Sequence, residues 1–161
     1  MPTFLECLEN KKLRFPKDAW KKKENQLLFL KYFAKKEGYK TKEDWYKMKH
    51  STIIKYRGSG LLNYFDRSTA KLLKFIDPNY DWKPWLFSSV PNNYWKDTTN
   101  HKLFFNWLGE QLGYTQPKDW YNISRNKIKK MRGDGLIAEY YNHSPMQFVK
   151  AMLPEYDFKL F

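Results

Sequence analysis

Leu28, Phe29, Tyr32 and Phe33 recur at the three-and-four spacing that lays apolar side chains along one face of a helix. The pattern predicts a helix from near Asn25 to Gly38, where a residue in the left-handed region closes the last turn. Seventy-five residues further on, Asn100, Leu103, Phe104, Trp107, Leu108 and Gly113 carry the same pattern. A second helix is expected from Thr41 or just after, because Lys42 aligns with Pro117 and proline is favoured in the first turn. It holds Asp44-Trp45-Tyr46, matched by Asp119-Trp120-Tyr121. A short third helix turns Ile53 and Tyr56 inward, with Ile128 and Met131 as counterparts, and Gly58 and Gly60 (Gly133 and Gly135) are expected to form a tight turn before Leu61-Leu62. A fourth helix opens at Ser68, whose partner Ser144 precedes Pro145 as an N-cap precedes N1. Leu72, Leu73 and Ile76 face inward from it, and Pro78 or Pro154 ends it.

Each series closes on an aromatic tail, Tyr80-Asp81-Trp82-Lys83-Pro84-Trp85 in the first and Tyr156-Asp157-Phe158-Lys159-Leu160-Phe161 in the second. Between Trp20 and Leu61, 16 of 42 positions are identical to those 75 residues later. After a one-residue insertion near Ala138, Tyr64 to Lys83 adds 7 of 20. Spacing held without gaps over such a length is the mark of one compact unit used twice. The expected architecture is all-α: a leader over residues 1–17, one helical, helix-turn-helix-like module over 18–87, and a second over 88–161. Modules of this size bury little surface, and the aromatic share of 19% supplies large rings to fill small cores.

The motif set W-x-D at Trp95 to Asp97, G-Y, D-W-Y, R-G-x-G-L, a Ser-capped helix, P-x-Y-D-W and W-x-P-W-x-F at Trp82 to Phe87 resembles a repeat module of uncharacterised giant-virus, algal and fungal proteins. The resemblance covers residues 18–161 and implies no activity. The second series departs from it at Phe158 and Phe161, and Trp20 is followed by lysines where the pattern has an acid. More distantly, the chain is similar to the helix-turn-helix repeats that accompany homing endonucleases, which implies DNA binding without catalysis.

Charge adds a partner class. Thirty Lys+Arg stand against seventeen Asp+Glu, a formal +13, which attracts polyanions, with nucleic acid the commonest inside cells. The surplus is uneven: residues 10–87 hold 20 basic and 8 acidic side chains, residues 88–161 hold 10 and 7. Basic positions present in both series are Lys21/Lys96, Lys55/Lys130, Arg57/Arg132, Lys74/Lys150 and Lys83/Lys159. The third helix of the second series gathers Arg125, Lys127, Lys129, Lys130 and Arg132. The expected nucleic-acid contacts are therefore Lys21, Lys55, Arg57, Lys74, Lys96, Arg125, Lys127, Lys129, Lys130, Arg132 and Lys150. The alternative for Arg57 and Arg132 is hydrogen bonding to the last carbonyls of their own helix. Only five of the thirty cations are Arg, which argues against rich base readout.

Other chemistry is sparse. Cys7 alone permits neither an internal disulfide nor a thiolate metal site, and His50, His101 and His143 hold no ligand spacing. Arg-Gly-x-Gly lacks the length and Lys-Ser/Thr ending of a phosphate loop and reads as a turn. Most Trp and Tyr residues fall at core spacing, with Trp85 and Tyr94 the open cases for base stacking. Asp44 and Asp119 sit early in a helix, where a carboxylate is stabilised structurally. No catalytic set, metal, cofactor or small-molecule substrate is expected. No segment approaches the roughly 18 apolar residues of a membrane span. A soluble intracellular protein is expected, in nucleus, cytoplasm or virion. The leading expectation is a non-catalytic nucleic-acid-binding protein, DNA ahead of RNA. The alternative is a protein-protein adaptor or scaffold with aromatic contact surfaces.

Overall fold

A computed structural model describes residues 1–159, which are helical and contain no strand. The chain divides into two compact units, Met1–Pro91 and Asn92–Phe161. The final Leu160 and Phe161 of the expected second tail lie outside the described residues.

In the first unit, α1 (Phe4–Glu9) precedes a 3-10 turn (Ala19–Lys21), α2 (Lys23–Glu37), a 3-10 helix (Lys42–Lys47), α3 (His50–Lys55), α4 (Ser59–Tyr64), α5 (Thr69–Ile76) and a 3-10 turn (Pro84–Leu86). In the second, a 3-10 turn (Tyr94–Lys96) precedes α6 (Thr98–Leu112), a 3-10 helix (Pro117–Asn122), α7 (Arg125–Lys130), α8 (Asp134–Tyr140) and α9 (Pro145–Met152). The two long helices α2 and α6 are each 15 residues and each ends on a glycine, Gly38 at φ 74° and Gly113 at φ 73°. A side chain there would strain the backbone, so the glycines stop the helices as expected. Ser68 and Ser144 cap α5 and α9 by accepting the backbone N–H of Lys71 and Gln147.

Each unit has its own core. Phe29, Phe33, Ile53, Leu61, Leu62 and Leu72 are wholly buried in the first, and Phe104, Leu108, Leu136, Phe148 and Val149 in the second. One expectation is corrected by the stripe that α2 buries, which is Gln26, Phe29, Leu30 and Phe33. Leu28 points away and is 42% exposed, and Leu103 on α6 is 55% exposed. The inward place on the first turn goes to a polar group in both units. Gln26 donates from Nε2 to the carbonyl of Trp20, and buried His101 bridges the Trp95 carbonyl at Nε2 and the Tyr141 hydroxyl at Nδ1.

The expected second helix is a single 3-10 helix in each unit. It is held by a capping box: Asp44 Oδ2 accepts from the Lys40 and Thr41 amides at 2.8 and 3.0 Å. Asp119 accepts from the Thr115 and Gln116 amides in the same way. These bonds hold both carboxyls below the ordinary carboxylate range, since they favour the charged form.

The glycine turn differs from expectation. The left-handed residues after α3 and α7 are Arg57 (φ 68°) and Arg132 (φ 71°), not glycines. Gly58 follows with its N–H on the Ile53 carbonyl and Gly133 with its N–H on that of Ile128, which closes each helix in a Schellman arrangement. Glycine is required one place later for space: a Cβ on Gly58 would stand 2.4 Å from Phe29 Cζ, and one on Gly133 equally close to Phe104 Cζ. Gly60 and Gly135 lie inside α4 and α8.

In the first unit, the arginine held in this strained conformation fastens the leader. Its guanidinium donates to the carbonyls of Cys7, Asn10 and Leu13 and lies 4.6 Å from the Phe15 ring centroid. Phe4, Cys7 and Leu8 of α1 are buried, and Phe4 and Leu8 belong to the core of the unit. The tails fold back by one device: the Lys83 amide donates to the Tyr46 hydroxyl at 2.8 Å, and the Lys159 amide to that of Tyr121 at 2.7 Å. Trp85, an open case, is buried.

Candidate nucleic-acid interface

The expected contact residues fall into several groups. In the second unit, Arg125, Lys127, Lys129 and Lys130 all project from α7, whose Ile128 is buried and whose N-terminus is capped by Ser124. One inward and five outward positions in six residues, four of the five basic, make this helix a basic ridge over the core. Lys127 Nζ donates to the Asn122 carbonyl at 2.9 Å, and Arg125 Nη2 lies 3.4 Å from His143 Nδ1. Lys129 and Lys130 are exposed and make no ion pair among the described residues. Arg132 is also exposed, at the left-handed position that ends the ridge. Lys96 and Lys150 are exposed on elements that pack on α6.

In the first unit, Lys55 and Lys74 are exposed, and Lys21 is exposed but pairs with Asp18 at 3.2 Å. Arg57 gives three of its N–H donors to leader carbonyls, and its partners are not the last carbonyls of its own helix. A further group of cations lies outside the expected contacts. Lys31, Lys35, Lys40 and Lys42 are all exposed on α2 and the segment that leads into the 3-10 helix. Their positional counterparts, Asn106, Glu110, Thr115 and Pro117, line one concavity around Trp120. Lys42 bridges to Asp77 at 2.9 Å, whereas Lys31, Lys35 and Lys40 have no ion pair among the described residues. The signal was present as a helical i, i+4 step, Lys31 to Lys35, next to two further lysines.

The remaining candidates have structural work. Trp120 is buried and stacks on Phe105 with ring centroids 4.2 Å apart, and Trp45 packs edge-on against Tyr39. Among the described residues, no three His, Cys, Asp or Glu side chains gather as a metal site would require. No helix among them is long and apolar enough to cross a membrane.

Fold and surface together define an all-α protein of two compact units with basic exposed faces. A scan against protein-family models finds no match, and neither curated proteins nor solved structures yield one.

Proposed function

We propose that this protein binds nucleic acid without catalysis, DNA ahead of RNA, through lysine-rich faces on its two units. Charge arithmetic supports the reading: seventeen acids can neutralise at most seventeen of thirty cations, so at least thirteen remain for an outside partner. The observation that carries it is the clustering of exposed lysines on α2 and its following segment, and again on α7, with the cores beneath them apolar. Lysine supplies point charges suited to phosphate, so affinity comes from counterion release and sequence preference is modest.

The test pairs Lys31→Glu/Lys35→Glu with Lys129→Glu/Lys130→Glu in the full chain. Affinity for a DNA duplex and for a matching RNA is measured at two salt concentrations, with circular dichroism as the folding control. Each pair should weaken binding and lower the slope of log affinity against log salt by up to about 2, as loss of two phosphate contacts requires. Binding that ignores both salt and the substitutions would overturn the proposal. The adaptor reading is favoured by one feature, the exposed Leu27, Leu28 and Leu103 on the long helices, and would then take precedence.

A further inference from the structure

A cavity of about 460 Å³ opens between α7 and α8 in the second unit, within the range of about 300–1,000 Å³ usual for small-molecule sites. Its walls differ in chemistry. Arg125 and Lys129, one turn apart on α7, supply two cationic side chains, and Asp134, the first residue of α8, supplies a carboxylate. Ile137 and Ala138 form an apolar floor, and His143 closes the rim with Nδ1 3.4 Å from Arg125 Nη2. His143 reaches that place because it and Asn142 both sit in the left-handed region, at φ 60° and 52°. Two successive side-chain-bearing residues in this region are strained, and such strain persists where the surroundings enforce it.

The corresponding loop of the first unit holds the same backbone at Asp66 and Arg67, φ 54° and 58°, but the side chains are exchanged. His50 stands where Arg125 does and Arg67 where His143 does, while Asn63 replaces Ala138. There Arg67 turns back onto α4 and donates to Asn63 Oδ1 at 3.3 Å. In the second unit a methyl group replaces that acceptor, and the arginine comes from the opposite wall.

We infer that this cavity takes a nucleotide and, given the nucleic-acid reading on which the inference rests, one unstacked nucleotide of a single strand. A bare phosphate would use only the cationic wall, and an apolar ligand would strand three charges. A nucleotide matches all of it: phosphate on the Arg125 fork and Lys129, the flat base over Ile137 and Ala138, and a sugar hydroxyl or exocyclic amine donating to Asp134. A paired base inside a duplex cannot reach such a pocket.

Two measurements on the full chain test this. Adenosine monophosphate and, separately, inorganic phosphate are titrated while NMR follows the Ala138 methyl and the His143 ring. The monophosphate should move both signals to saturation, and phosphate at equal concentration should leave the Ala138 methyl unmoved. Ala138→Phe, which fills the floor and leaves every charge, should reduce the His143 response to the monophosphate to that given by inorganic phosphate and weaken binding of a single-stranded oligonucleotide about tenfold while duplex affinity is unchanged. Lys129→Gln, at an exposed position, should weaken the monophosphate even if the larger side chain disturbs folding. Silence of both signals, or equal single-strand affinity in folded Ala138→Phe, overturns the pocket. Saturation by the monophosphate with no binding to any oligonucleotide supports the pocket and overturns the nucleic-acid reading.

Discussion

The first unit carries Lys31, Lys35, Lys40 and Lys42 where the second carries Asn106, Glu110, Thr115 and Pro117, yet the long helices beneath have the same length and the same left-handed glycine stop. On the third helix the contrast reverses. There α7 presents Arg125, Lys127 and Lys129, whereas α3 presents His50, Thr52 and Ile54 at the same places. Surface charge is therefore free to move from element to element while the buried rings keep the architecture, because exposed substitutions cost little and buried ones cost much. The proposed reading gives each unit its own use of that freedom: a lysine-rich face on the first for long-range attraction, and a mixed-charge pocket on the second for close contact.

The largest effect expected from breaking this comparison is in the core. Trp120 is buried and Trp45 only half-buried, so Trp120→Ala should lose about 3–5 kcal/mol and Trp45→Ala about 2 kcal/mol in denaturant unfolding. Equal losses would mean that the two aromatic clusters are packed alike after all. The glycines give a sharper asymmetry. A Cβ on Gly60 would meet the Trp20 indole at 2.3 Å, whereas one on Gly135 meets nothing within 4 Å. Gly60→Ala should cost about 1–3 kcal/mol by overpacking, and Gly135→Ala should gain up to about 1 kcal/mol by restraining the unfolded chain. A gain from both substitutions would show that Trp20 yields easily.

The smallest effect is electrostatic. Asp44 and Asp119 have folded pKa values below their unfolded ones, chiefly through backbone N–H donors, and Asp44 has Lys47 Nζ at 3.1 Å as well. The unfolded chain binds more protons in acid, so this stability is present above the ordinary carboxylate pKa of about 4 and is lost as pH falls through the folded values. Unfolding followed from about pH 7 to about pH 3 should show that decline, and Asp44→Asn should flatten it more than Asp119→Asn. An unchanged profile in Asp44→Asn would assign the acid sensitivity elsewhere.

Much of this was readable in one dimension. Helical class, the glycine stops at Gly38 and Gly113 and the serine caps at Ser68 and Ser144 follow from local rules, because each depends on a few neighbouring residues and the backbone they allow. Spacing alone turns Phe29 and Leu108 inward, and they are buried. The same reasoning misplaced Leu28, since a stripe on a helix can rotate by one residue until its partners fix which side is inward.

Partners distant in sequence decided the rest. Arg57 becomes a clamp because the leader lies within its reach, and Gly58 must lack a side chain because Phe29 fills the space. Arg125, Asp134 and His143 line one pocket only after α7 and α8 pack against each other. Local conformational preference acts through the chain's own next few atoms and can be read along it. Steric contact and charge proximity act through space, and folding alone determines which atoms meet.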